Sequence, residues 1–105
     1  MANPISSGSI YMLSEEEIRV LEEKANYGDA DAAFRLYQYH MFVSLNQELE
    51  YKWLVIAAKH GHAVAQSNLA DLFLEDNDKE QATFWAKKAY DNGVELSHDL
   101  MDLIK

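Results

Sequence analysis

Residues 57–73 read AAKHGHAVAQSNLADLF, and the parsing of the whole chain follows from them. Paired alanines, Ala57 and Ala58, stand before Gly61, and Ala63, Ala65 and Ala70 stand after it. A glycine between two apolar stretches marks the end of one helix and the approach to another. The small side chains on both sides predict that the two helices cross closely there.

The glycine recurs on both sides of this stretch. Gly28, Gly61 and Gly93 are 33 and 32 residues apart. Eight positions before them stand Val20, Trp53 and Trp85, and four positions before them Lys24, Ala57 and Ala89. Four positions after them stand Ala32, Ala65 and Ser97, and eight after them Leu36, Leu69 and Met101. A period in the low thirties with small residues at fixed places is the signature of stacked helix pairs. Trp53 and Trp85 are expected to fill the wider gaps between pairs.

Local signals place six helices in this frame. Ser14 with Glu17 is a capping box, and three carboxylates in the first turn suit the positive end of the helix dipole. Ile18, Leu21 and Ala25 form the apolar stripe of that helix, which stops at Gly28. Asp29 caps a helix to about Val43, and Asn46 caps the next, 47–60. Helices follow over 63–75, then from an Asn77–Glu80 capping pair to about Asp91, then to about Ile104. Turns this short make neighbouring helices antiparallel. Residues 1–13 (MANPISSGSIYML) read as an N-terminal arm whose Ile10, Tyr11 and Leu13 fold back on the first helix; residues 14–105 form one helical domain.

Composition narrows the function. The chain of 105 residues is long enough for one domain. Without cysteine there is no disulfide framework, cysteine nucleophile or thiolate metal site. No apolar run approaches the ~18 residues needed to span a bilayer, and residues 1–13 lack the basic and apolar blocks of a secretory signal. The expected location is the cytoplasm. The formal charge of −9, from 18 acidic and 9 basic side chains, disfavours direct contact with nucleic acid or an anionic membrane. It favours a basic protein as partner, or serves solubility alone.

The quoted residues resemble the core of a Sel1-like repeat, a relative of the tetratricopeptide repeat. Trp53, Ala57, Ala58, Gly61, Ala65, Leu69, Ala70 and Phe73 stand at that family's positions, and the next copy keeps Ala82, Trp85, Ala89 and Gly93. The first copy keeps Gly28, Ala32 and Leu36 but has Tyr37 where a small residue is usual. The glycine-rich loop of the family is absent: residues 41–46 and 75–78 contain no glycine. The resemblance implies an all-α fold, a short right-handed α-solenoid of three antiparallel helix pairs, with the leading element of the first pair reduced to the arm. It also implies a groove lined by the first helix of each pair. Carried over residue by residue, the groove positions are Phe34, Gln38, Met41, Ser67, Asp71, Leu74, Glu75 and Asp99. Phe34, Met41 and Leu74 are there either as solvent-facing contacts or, with a register shift of one, as core.

Little else in the chain carries chemistry. His60 and His62 flank Gly61 without a helically spaced carboxylate, and two turn histidines are too few for a metal site. His98 lies near Asp99 and Asp102, but their directions are expected to diverge. The serines lack a nucleophile-elbow context, and the glycines are too scattered for a phosphate loop. No enzyme activity, metal or cofactor is expected. Two acid-rich patches stand out: Asp91, Glu95, Asp99 and Asp102, the last three expected on one helix face, and Asp71, Glu75, Asp76 and Asp78. Each is either a solvated face or a docking surface for Lys and Arg, which would chiefly steer association.

Proteins of the resembled family are mostly adaptors and scaffolds, and some small bacterial ones act as immunity proteins that occupy one toxin. A single acidic, cysteine-free domain fits the second use: an immunity-type inhibitor of a basic protein. A general adaptor or regulatory subunit is the first alternative, and a small-ligand hydrolase or carrier the second.

Overall fold

A computed structural model of the chain describes residues 9–105. Residues 1–8 of the expected arm lie outside the described residues. Six helices follow a short 3-10 turn, Ser9–Tyr11: α1 (Glu15–Asn26), α2 (Ala30–Phe42), α3 (Gln47–Lys59), α4 (Ala63–Glu75), α5 (Lys79–Asp91) and α6 (His98–Ile104). Among the described residues there is no strand. The class is all-α.

The helices are cut to length by one device used repeatedly. A residue in the left-handed conformation ends a helix, and the next residue caps the following one. Gly28 (φ +99°) precedes the cap Asp29, and Gly61 (φ +97°) precedes the cap His62. Leu45 (φ +56°) and Asn77 (φ +61°) do the same before Asn46 and Asp78 without glycine. The left-handed residues therefore fall at 28, 45, 61, 77 and 93, at intervals of 17, 16, 16 and 16. The recurrence of glycine seen in the sequence is every second beat of this shorter period. Asparagine tolerates the left-handed region because its amide bonds locally, whereas Leu45 has no such compensation and remains exposed.

The caps obey ordinary hydrogen-bond physics. The Ser14 hydroxyl accepts from the Glu17 N–H at 3.1 Å while the Glu17 carboxylate accepts from the Ser14 N–H at 2.8 Å. Asp29 accepts from Ala32, Asn46 from Leu49, and Ser97 from Leu100. Helix α5 differs from the expected Asn77–Glu80 pair. Asn77 is spent closing α4, its N–H donating to the Leu74 carbonyl, and Asp78 caps α5 by accepting from Gln81 at 3.1 Å.

The last helix also differs. After Gly93, Val94, Glu95 and Leu96 intervene before the cap, so α6 starts three residues later than its counterparts α2 and α4. Ser97 is consequently an exposed cap, Leu96 and Leu100 are buried, and Met101, at the recurring place of Leu36 and Leu69, is half-buried. Glu95 precedes α6, so it does not share a helix face with Asp99 and Asp102.

Each helix packs principally on its neighbours in sequence, with α2 on α3 and α4 on α5 the most extensive pairs. Alanines make this possible. Ala32, Ala33, Ala57, Ala58, Ala65, Ala70, Ala82, Ala86 and Ala89 are all buried, so backbones approach closely. Trp53, 1% exposed, fills the centre with Leu36, Leu54, Leu69 and Leu100. The end of the arm packs on α2 and not only on the first helix as expected. Tyr11 stacks on Phe42 with ring centroids 4.4 Å apart, Leu13 enters the core, and Ile10 stays exposed. The radius of gyration is 14.8 Å, above the roughly 13 Å of a compact domain of this length. The extents of 51 × 32 × 24 Å reflect the same elongation.

Candidate functional site

Side chains of α2 and α4 touch at two places, and α6 comes close enough to α4 for charge to act between them. Phe34 of α2 stacks on the ring of His62 at the start of α4, centroids 4.0 Å apart and planes 14° apart. One turn further along, the Asn68 side-chain amide of α4 donates to the Tyr37 hydroxyl of α2 at 3.4 Å. Further on, Asp71 of α4 lies close enough to Glu75 and to Asp99 of α6 for their charges to act on it. Partial burial and these two carboxylates hold the Asp71 carboxyl above its ordinary value. Among the described residues, none of the three lies within salt-bridge distance of a cation. Asp71 is therefore the disfavoured charge of the three, and a positive charge placed beside it would offset its burial and its neighbours.

The positions carried over from the resemblance thus fall into two groups. Asp71, Glu75 and Asp99 come together across α4 and α6. Phe34, Gln38 and Met41 lie on α2, and Ser67 and Leu74 lie on α4, all half-buried. Phe34, Met41 and Leu74 pack against the core, so they are walls of the site more than free contacts. Of the second acidic patch, Asp78 is occupied as the α5 cap, while Asp76 is exposed. The pair His98–Asp102 is an i,i+4 contact at 3.7 Å on the surface, so the two side chains converge where divergence was expected.

Three polar residues essential to this arrangement were not legible as such. Gln66 is buried; its amide donates to the Ala58 carbonyl of α3 at 3.1 Å and accepts from the Asn92 side chain after α5 at 2.9 Å. It ties the ends of three helices together. His62 caps α4 through Nδ1, which accepts from the Ala65 N–H at 3.1 Å. Burial pushes the His62 imidazole down, with Asp31 pulling the other way. His40 is buried as well, its Nδ1 2.7 Å from the Ser44 hydroxyl, and burial lowers it too.

A second surface feature lies elsewhere. Tyr51, Val55 and Lys59 of α3, Leu69 and Phe73 of α4, and Gln81 and Trp85 of α5 line a shallow cleft. Among the described residues, no group of three or more His, Asp or Glu side chains is placed to hold a metal ion, and no helix is long and apolar enough to cross a membrane.

Fold and surface together define the class: an all-α protein of six short helices with an acidic cluster shared by α4 and α6. No family model and no solved structure matches the chain. It is 33% identical over 109 residues to the uncharacterized protein YibG of Escherichia coli (strain K12), an alignment covering 95% of this chain and 71% of that protein. The chain belongs to the YibG family.

Proposed function

We propose that this chain is a short Sel1-like helical stack that binds one basic protein along α2, α4 and α6, and that it acts as an immunity-type inhibitor, neutralising a basic toxin in the cytoplasm. The half-buried carboxylate of Asp71, raised by burial first and by the charges of Glu75 and Asp99 second, carries the reading. On a chain of net charge −9, a cationic partner placed beside it would offset both effects. The beat of about 16 residues supports the repeat part of the proposal, since two beats make one helix pair of the length the resemblance requires. The neighbour-to-neighbour packing and the elongated outline support an open stack over a closed globule. With helix pairs stacked in this way, α2 and α4 are the first helices of successive pairs, α6 takes the corresponding place after them, and the three line the groove.

The experiment is capture of partners by the tagged protein in its own host at low and high salt. One dominant basic partner, bound at nanomolar strength and released as salt rises, is the expected result. Recovery of several partners at weaker affinity would favour the adaptor reading, for which the cleft between α3 and α5 supplies a further contact surface. Salt-insensitive capture of an acidic partner would reject the acidic-surface account.

A further inference from the structure

His62 is unlike every other cap in the chain. The other five α-helices are capped by Ser14, Asp29, Asn46, Asp78 and Ser97, side chains that keep an acceptor oxygen at any pH near neutral. Helix α4 relies on an imidazole nitrogen, and a nitrogen that accepts the Ala65 N–H cannot carry a proton. The proton of the neutral ring is therefore on Nε2, which points toward Asp31 of α2 with 3.7 Å between Nε2 and the carboxylate. The same ring is stacked on Phe34, so one side chain fastens the start of α4 to α2.

From these contacts we propose that His62 is a proton-operated latch between α2 and α4. Neutral, it caps α4 and holds Phe34. Protonated, Nδ1 becomes a donor, so the bond from Ala65 is lost, and the positive ring faces the positive end of the helix dipole. Helix α4 has no acidic residue in its first turn to offset that charge, whereas α1, α2, α3, α5 and α6 each have at least one. Beside the ring α2 presents Asp31, whose side chain is 95% exposed; in sequence, the end of α3 carries Lys59 and its C-cap is His60. Asp31 draws the charged ring outward, away from the cap and the Phe34 stack. Phe34 and Ser67, two of the candidate groove positions, stand on the two helices so joined, so the latch would regulate the proposed binding face; that consequence rests on the proposed function, while the latch itself does not.

The sign follows from the direction of the shift. The His62 imidazole sits below its ordinary value of 6.5 in the fold. Its contribution to stability is thus complete above that value and is lost as pH falls through the lowered one. The test uses the isolated protein and heteronuclear NMR. Imidazole nitrogen shifts at neutral pH should report the Nε2–H tautomer for His62. As the ring titrates, the hydrogen-exchange protection of the Ala65 amide should fall about fivefold, the worth of one cap. In His62→Asn, which caps without titrating, that fall should vanish. An Nδ1–H tautomer, protection that ignores the His62 titration, or the same fall in the Asn variant would each overturn the latch, whatever partner the protein proves to bind.

Discussion

Replacing Trp53 by alanine is expected to destabilise the fold by roughly 3–5 kcal/mol. That is a large part of the roughly 5–15 kcal/mol available to a domain. The indole is 1% exposed and is the largest of the fully buried side chains. Among the described residues its Nε1 has no hydrogen-bond partner, so truncation removes packing and leaves no orphaned polar group behind. The flanking Ala57 and Ala58 cannot expand into the space, and the bonds of Gln66 across α3, α4 and α5 resist collapse. Trp85 is the control. It is 8% exposed and forms part of the wall of the α3–α5 cleft, so its loss opens a notch to water more than a closed cavity. Trp85→Ala is therefore expected at the low end of the same range. Urea denaturation of both variants checks the ordering; equal losses, or a loss below about 1 kcal/mol for Trp53, would contradict the packing described here.

The second large effect is on binding. Substituting Asp71, Glu75 and Asp99 together by lysine is expected to weaken affinity for the basic partner about 100-fold, mostly by turning attraction into repulsion at the encounter. Helicity should survive, because Glu75 and Asp99 are exposed, Asp71 is only half-buried, and none of the three caps a helix. In the native chain burial first, then Glu75 and Asp99, disfavour the ionised Asp71 carboxyl. The neutral variant Asp71→Asn alone should leave the fold at least as stable at neutral pH while weakening the partner modestly. Circular dichroism and calorimetric titration with the partner separate the two effects. Unchanged affinity in the lysine variant would remove these carboxylates from the interface.

How much of this was legible in the sequence depends on how local the physics is. Ser14–Glu17, Asp29 and Asn46 act within one helical turn, and the glycines at 28 and 61 impose a backbone conformation that other residues resist. Those boundaries were readable for that reason. Asn77 and Asp78 both suit a cap, and only the closure of α4 decides that Asn77 takes the left-handed position. The late start of α6 was hidden because Ser97 and Met101 continue the spacing of the earlier copies, although Leu96 and Leu100 are the residues the core takes up. Leu45 gave no warning at all, since a leucine seldom occupies the left-handed region. The candidate groove positions came from the resemblance alone. Nothing in the sequence pairs Asp71 with Asp99, 28 residues away, or sets the His62 ring on Phe34.

A partner that binds as proposed covers one side of the helices and leaves the other free. Hydrogen exchange read by mass spectrometry, comparing the free protein with its complex, decides this directly. Added protection should be confined to α2, α4 and α6, around residues 34–41, 67–75 and 98–102. Protection concentrated instead on α3 and α5, over Tyr51, Val55 and Trp85, would contradict it.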